Sequence, residues 1–324
     1  MNTSTSAVTA FPDFPAAALC GPLRQPRQML ADQTYDGHLS IHDDKTAGDL
    51  GLKAGPIEGP THFSQFDPLM VQLFGNEWFQ TGCISAHYQN MVVEGEEVRA
   101  FVQPPKGSER IVHIWAEKRD GTPVLKGTAS VGSDACDDQH EIPQRIAKLR
   151  PNKGLVINRD LTVGQKGAEA ETITMGFDQH MGDYYPFTLS QKLKAITEPS
   201  PWYTPEGAAS SPWGKAIIPM EMISVLLGST IKRAGFSGRG PAVGLFAGQQ
   251  IRLVNGPLFV GQAYELEREI IALSESARTE SCWVRTRVIH GDTKALAAEM
   301  ILNSATLKHS YAAYEQEARE LGLI

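Results

Sequence analysis

Gly55-Pro56-Ile57-Glu58-Gly59-Pro60-Thr61-His62-Phe63, running on to Phe74, decides how the chain reads, because a second stretch follows the same plan. That second stretch is Trp213-Gly214-Lys215-Ala216-Ile217-Ile218-Pro219-Met220-Glu221, running on to Ile231. After each proline the apolar residues recur at three- and four-residue steps: Phe63, Phe66, Leu69, Met70, Leu73 and Phe74 in the first copy, Met222, Ile223, Leu226 and Leu227 in the second. This is the period of a helix. A proline is tolerated in a first helical turn, where its missing N–H has no partner to lose, so Pro60 and Pro219 mark the predicted starts. Pro68 breaks the first pattern. It either kinks that helix or starts a second segment, with Asp67 as N-cap and Pro68 at the first position.

Downstream of each helix the pattern changes to strands. Ile84 to Asn90, Glu96 to Gln103, Arg110 to Lys118 and Val124 to Val131 are rich in β-forming residues, and Glu94-Gly95 and Asp120-Gly121 supply turns between neighbours. In the second half Gly248 to Val254, Gln262 to Ala272, Arg278 to His290 and Leu296 to Leu307 repeat the series, with turns at Asn255-Gly256 and Gly291-Asp292. Short capped helices are predicted from His42-Asp43-Asp44 to near Gly51 and over Leu189 to Ile196. Two copies of helix-then-meander are the simplest account. Aligning them places His42–Ala47 over Tyr203–Ala208, Lys53–Pro60 over Pro212–Pro219, and Glu94-Gly95 over Val260-Gly261. The expected organisation is an N-terminal arm over 1–25, a first domain over 26–133, a polar, proline-containing linker over 134–165 and a second domain over 166–324.

Composition narrows the function. The 324 residues carry 30 Lys and Arg against 37 Asp and Glu, a formal charge of −7, and no basic run, which excludes an electrostatic footprint for nucleic acid. No apolar run approaches the ~18 residues of a membrane span, and the opening residues do not read as a secretory signal. Cys20, Cys83, Cys136 and Cys282 are scattered without a Cys-x-x-Cys pair, which argues against a zinc site and gives no disulfide framework. A cytoplasmic protein is the expectation.

A long helix entered through a Gly/Pro turn and wrapped by an antiparallel sheet resembles the hotdog fold. More narrowly, His42-x-Asp44-x-x-Ala47, the Gly55/Gly59 entry and the Gly95 turn resemble the MaoC-like (R)-specific enoyl-CoA hydratase and dehydratase family; in the second half, Phe187-Thr188-Leu189-Ser190 through Ile196 and then Glu198-Pro199-Ser200-Pro201-Trp202-Tyr203 fall where that family places its helix and catalytic loop. The resemblance implies an α+β tandem double hotdog, two central helices each wrapped by an antiparallel β-sheet. It implies a lyase of the hydratase/dehydratase type without a cofactor, acting on a small-molecule substrate, a CoA thioester or a similarly conjugated compound, and working as a homodimer. A hotdog thioesterase and a non-catalytic binding subunit are the alternatives.

The family pattern Asp-x-Asn-Pro-x-His sets a carboxylate and an imidazole against one water, so that one removes its proton while the other protonates the α-carbon. Both halves depart from it. Placing His42 on the family histidine puts Gly37 on the family aspartate, with Asp36 one residue too early; in the second half Glu198 and Tyr203 take the two positions. The candidate acid/base residues are therefore His42, Asp36 and His62, with His38 a weaker neighbour. Gly59 and Thr61, whose N–H groups at a helix start could hold a carbonyl oxygen, join Glu221, Tyr203 and Glu198 as candidate substrate-binding residues. Each has a structural alternative: turn chemistry for Asp36, local capping for His42 and His62, a plain turn for Gly59. Glu198 with Tyr203 is either a remnant or a different acid/base pair, and Glu221 is expected opposite His62 in the repeat.

Overall fold

A computed structural model of the protein describes residues 18–34, 40–132, 137–169 and 171–324. Among these residues ten strands form one antiparallel sheet. They are β1 (Leu19–Cys20), β2 (Cys83–Tyr88), β3 (Val98–Val102), β4 (Ile111–Lys118), β5 (Pro123–Ser130), β6 (Glu171–Ile173), β7 (Gly244–Leu253), β8 (Tyr264–Glu275), β9 (Thr279–His290) and β10 (Leu296–Leu307). The order β1-β3-β4-β5-β2-β7-β10-β9-β8-β6 reads the same from both edges once each strand is replaced by its counterpart. The halves meet at the centre, where β2 pairs with β7 from Cys83↔Arg252 to His87↔Gly248.

The first central helix has two segments, a 3-10 stretch over Gly59–Phe66 and an α-helix over Asp67–Phe74. Pro68 starts the second segment, in its first turn, where no backbone bond is lost. Asp67 belongs to that helix instead of capping it, and Phe66 is the cap. The second central helix is Met220–Gly228, buried along its whole length, as an apolar helix enclosed on all sides must be. It is shorter than expected, and a separate turn, Ile231–Ala234, follows. The two helices pack side by side on one face of the sheet. Phe63, Phe66, Met70, Ile223, Leu226 and Leu227 form one core with inward residues of the strands such as Ile84, Ala86, Ile251 and Met300. Alternate residues of β2 face the other way: Ser85 Oγ accepts from Ile142 N–H at 2.9 Å, on a helix Glu141–Ala147 that crosses the outer face near the central seam. That helix lies inside the stretch expected as a linker. Its anchor, Ile142, packs with Ala272, Trp283 and Ile301.

The internal repeat holds, with one change of register. Pro56 bridges Val93 and Ile217 bridges Phe259, and the N–H groups of Ile57 and Ile218 donate to Val92 and Leu258 at 2.7 and 2.8 Å. Counted from these paired bridges, Glu58 corresponds to Pro219, Pro60 to Glu221 and His62 to Ile223. Matching Pro60 with Pro219, and hence His62 with Glu221, is therefore wrong by two residues. The cause is physical: proline is compatible both with the cap, where Pro219 sits, and with the first turn, where Pro60 sits. The turn match stands, since Gly95 and Gly261 occupy equivalent places with φ of 84° and 77°, a left-handed region that glycine enters without steric cost.

Candidate active site

A cavity of about 490 Å³ lies between the entry turn of the first central helix and the inner face of the second half's sheet. Its polar end is built by Glu58, Gly59 and His62 from the entry turn, His42 from the preceding loop, Tyr88 at the end of β2, and Tyr185 from the second half. The second half contributes the apolar side chains Leu227, Phe246, Val284, Met300 and Leu302, with Lys232, Arg239 and Arg268 also on the wall.

His42 is half-buried beside the helix Asp44–Asp49, whose cap is Asp43; the Asp43 carboxylate accepts from Thr46 N–H at 2.7 Å. The ring Nδ1 lies 2.6 Å from the Pro56 carbonyl. A carbonyl only accepts, so Nδ1 carries the proton and the lone pair sits on Nε2. Burial holds the imidazole below its ordinary 6.5, with the Pro56 carbonyl acting in the opposite sense. The loop is tied across the molecule: His42 N–H donates to Ser40 Oγ, Ser40 Oγ to Gln33 Oε1 at 3.0 Å, and Gln33 Nε2 to the Tyr184 carbonyl at 2.7 Å.

Glu58 caps the entry turn without any side-chain cap bond. Its carboxyl accepts from Tyr185 OH at 3.2 Å and is pushed up to about 7 by burial, against the pull of Lys192 and the tyrosine. His62, 2% exposed, is pushed down to about 3 by burial and then by the positive charges of Lys192 and Lys118. Its Nδ1 has no hydrogen-bond partner among the described residues. Gly59 is required by contact, since a Cβ there would lie 2.5 Å from the Tyr88 ring, which stacks on Phe63. One cavity wall thus presents a carboxyl that can hold a proton at neutral pH and imidazoles that can remain uncharged.

Four candidate binding residues lie elsewhere. Thr61 spends its N–H on the Glu58 carbonyl at 3.1 Å, and its hydroxyl accepts from Lys192 Nζ at 3.2 Å. Glu221 lies 2.9 Å from the same ammonium, in an ion pair buried at both ends. Neither is part of the cavity wall, and nor is the Lys192 ammonium that both contact. Tyr203 and Glu198 do not pair with each other. Tyr203 OH donates to Asp67 Oδ2 at 3.0 Å, while Glu198 takes a two-pronged bond from Arg24 at 2.6 and 2.9 Å. Asp67 also accepts from Trp78 Nε1 at 2.8 Å and is pushed up to about 7 by burial. Around Tyr203 the rings of Phe79, Trp202 and Trp213 meet edge to face, with Phe79 and Trp202 centroids 5.7 Å apart. Where the first half keeps an open imidazole, the second half keeps a packed aromatic cluster. Asp36 and His38 lie outside the described residues.

Glu58, Tyr185, Tyr88 and Lys192 were not singled out from the sequence. Glu58 carried a usable signal: glutamate is a poor cap, so one held between Ile57 and Gly59 at a helix entry invites another role. The other three gave none, because their partners lie far away along the chain.

No family model matches the sequence, and no curated protein matches it. Solved structures do. A protein described as a MaoC domain dehydratase from Chloroflexus aurantiacus J-10-fl is 14% identical, with 82% of this chain and 87% of that chain covered and a TM-score of 0.53. A conserved Mycobacterium tuberculosis protein described as having a double hotdog fold is 9% identical, with 88% and 94% covered and a TM-score of 0.51. At these identities the likeness is one of architecture. The paired helices, the mirrored strand order and these matches agree: the chain has a double hotdog fold.

Proposed function

We propose that the protein is a lyase that adds water to an α,β-unsaturated acyl thioester, or removes it from the β-hydroxy counterpart. One observation carries the reading: His42 and Glu58 line a single cavity, the imidazole with its Nδ1 proton on the Pro56 carbonyl and the carboxyl raised by burial to about 7. In hydration, His42 Nε2 takes a proton from water as its oxygen bonds to the β-carbon, the π electrons move toward the thioester oxygen, and the Glu58 carboxyl protonates the α-carbon. In dehydration the Glu58 carboxylate removes the α-proton and the His42 imidazolium protonates the departing hydroxide. Tyr185 keeps the Glu58 carboxyl oriented. The apolar side chains of Leu227, Val284, Met300 and Leu302 suit an acyl chain.

The test is turnover of trans-2-enoyl thioesters carried on CoA and on N-acetylcysteamine, read as loss of the conjugated absorbance. Wild type should convert at least one, and His42→Ala and Glu58→Gln should each lower kcat about 10²-fold or more with the fold retained. Consumption unaffected by both substitutions would remove the pair from the mechanism. The same assay reads hydrolysis as free thiol. We place that reaction second, because Glu221, the helix-borne carboxylate it would use, is engaged by Lys192.

A further inference from the structure

We infer that His62 supplies a ring N–H to the thioester oxygen as negative charge develops there. The inference rests on the hydration reading and adds a third residue to it. His62 sits in the entry turn that also carries Glu58, on the wall of the same cavity, almost fully enclosed. One of its ring nitrogens, Nδ1, is buried with no hydrogen-bond partner among the described residues. Buried polar groups are rarely left so, and a ligand atom that completes the bonding is the simplest resolution. The charged and titratable groups around it are Lys192 from the second half, Lys118 on β4 and Glu58 on its own turn; both lysines oppose a proton on the ring. An imidazole kept uncharged cannot serve as the proton carrier at neutral pH. It still holds one N–H, and a neutral imidazole can polarise a carbonyl without giving up its proton. Such a donor, fixed before the reaction, acts where charge appears in the transition state.

Two measurements test this. In protein carrying ¹⁵N-labelled histidine, the His62 ring signals should stay those of a neutral imidazole across neutral pH and shift on addition of acetoacetyl-CoA, a thioester whose enolate resembles the developing oxyanion. With trans-2-octenoyl-CoA as substrate, His62→Ala should lower kcat by about 10²- to 10³-fold without changing the shape of the pH profile, and His62→Gln, which keeps an N–H, should recover part of the loss. Ring signals unmoved by saturating acetoacetyl-CoA would overturn the inference. So would loss of one limb of the pH profile in His62→Ala, which would make the residue an acid or base. If the ring shifts with acetoacetyl-CoA while wild type converts no enoyl thioester, the donor role stands and the hydration reading falls.

Discussion

His42 and Glu58 should leave opposite marks on the pH dependence of turnover. His42 must be unprotonated to accept a proton from water, and its value is held below 6.5, so activity should fall as pH drops through that lowered value. Glu58 must be protonated to act as the acid, so activity should fall again as pH rises through about 7. A bell with its alkaline limb near 7 is the expected kcat profile, and Glu58→Gln should abolish that limb along with most of the rate. The same carboxyl shapes stability. The folded state holds the Glu58 proton to about pH 7, whereas an unfolded chain releases it near 4.5. The stability this contributes is complete below about 4.5 and is lost as pH rises through about 7. Asp67 works in the same direction, and His62 in the opposite one, its contribution being complete above 6.5 and lost as pH falls toward about 3. Urea unfolding at about pH 5 and about pH 8 should show Glu58→Gln losing less stability than wild type over that interval, by on the order of 3 kcal/mol.

The entry turn of the first central helix is the element on which the site depends. Gly59 lets the Tyr88 ring lie against the turn, and Gly59→Ala should cost about 1–3 kcal/mol in thermal or urea unfolding by forcing ring or turn aside. Elements whose residues satisfy each other locally were readable in advance. The bounds of β10 are legible because a largely apolar run follows the Gly291-Asp292 turn; the helix Asp44–Asp49 is legible from its Asp43 cap. Where glycine or distant contacts decide, the sequence was mute: β7 begins four residues earlier than expected, at Gly244, because its pairing with β10 offsets two poor strand formers. The site divides in the same way. His42 and His62 stood out beside a helix entry, whereas Tyr185 gains meaning only from Glu58, 127 residues away in the chain. Thr61 and Glu221 are illegible for the same reason, since nothing local announces that Lys192, more than a hundred residues from Thr61, will engage both away from the cavity wall.

At the scale of the whole molecule, Lys192 links the halves, touching Thr61 of the first central helix and Glu221 of the second. Lys192→Met would leave the Glu221 carboxylate buried without its counter-charge and should cost roughly 3–5 kcal/mol in urea unfolding. Adding Glu221→Leu should recover much of that loss, because two apolar side chains then replace a desolvated ion pair; failure to recover would assign Lys192 a role other than charge compensation. The seam of β2 against β7 lies within a single chain. In a pair of identical subunits every substitution is made twice, so a residue that improves one cleft must be tolerated in its mirror image. Here each position is encoded once. An imidazole at 42 places no demand on position 203, and the aromatic cluster around Tyr203 can be built from residues the reacting cleft could never accommodate. Covalent joining of the halves thus permits specialisation that rotational symmetry forbids: one side is free to hold water and substrate, the other to be sealed and made rigid.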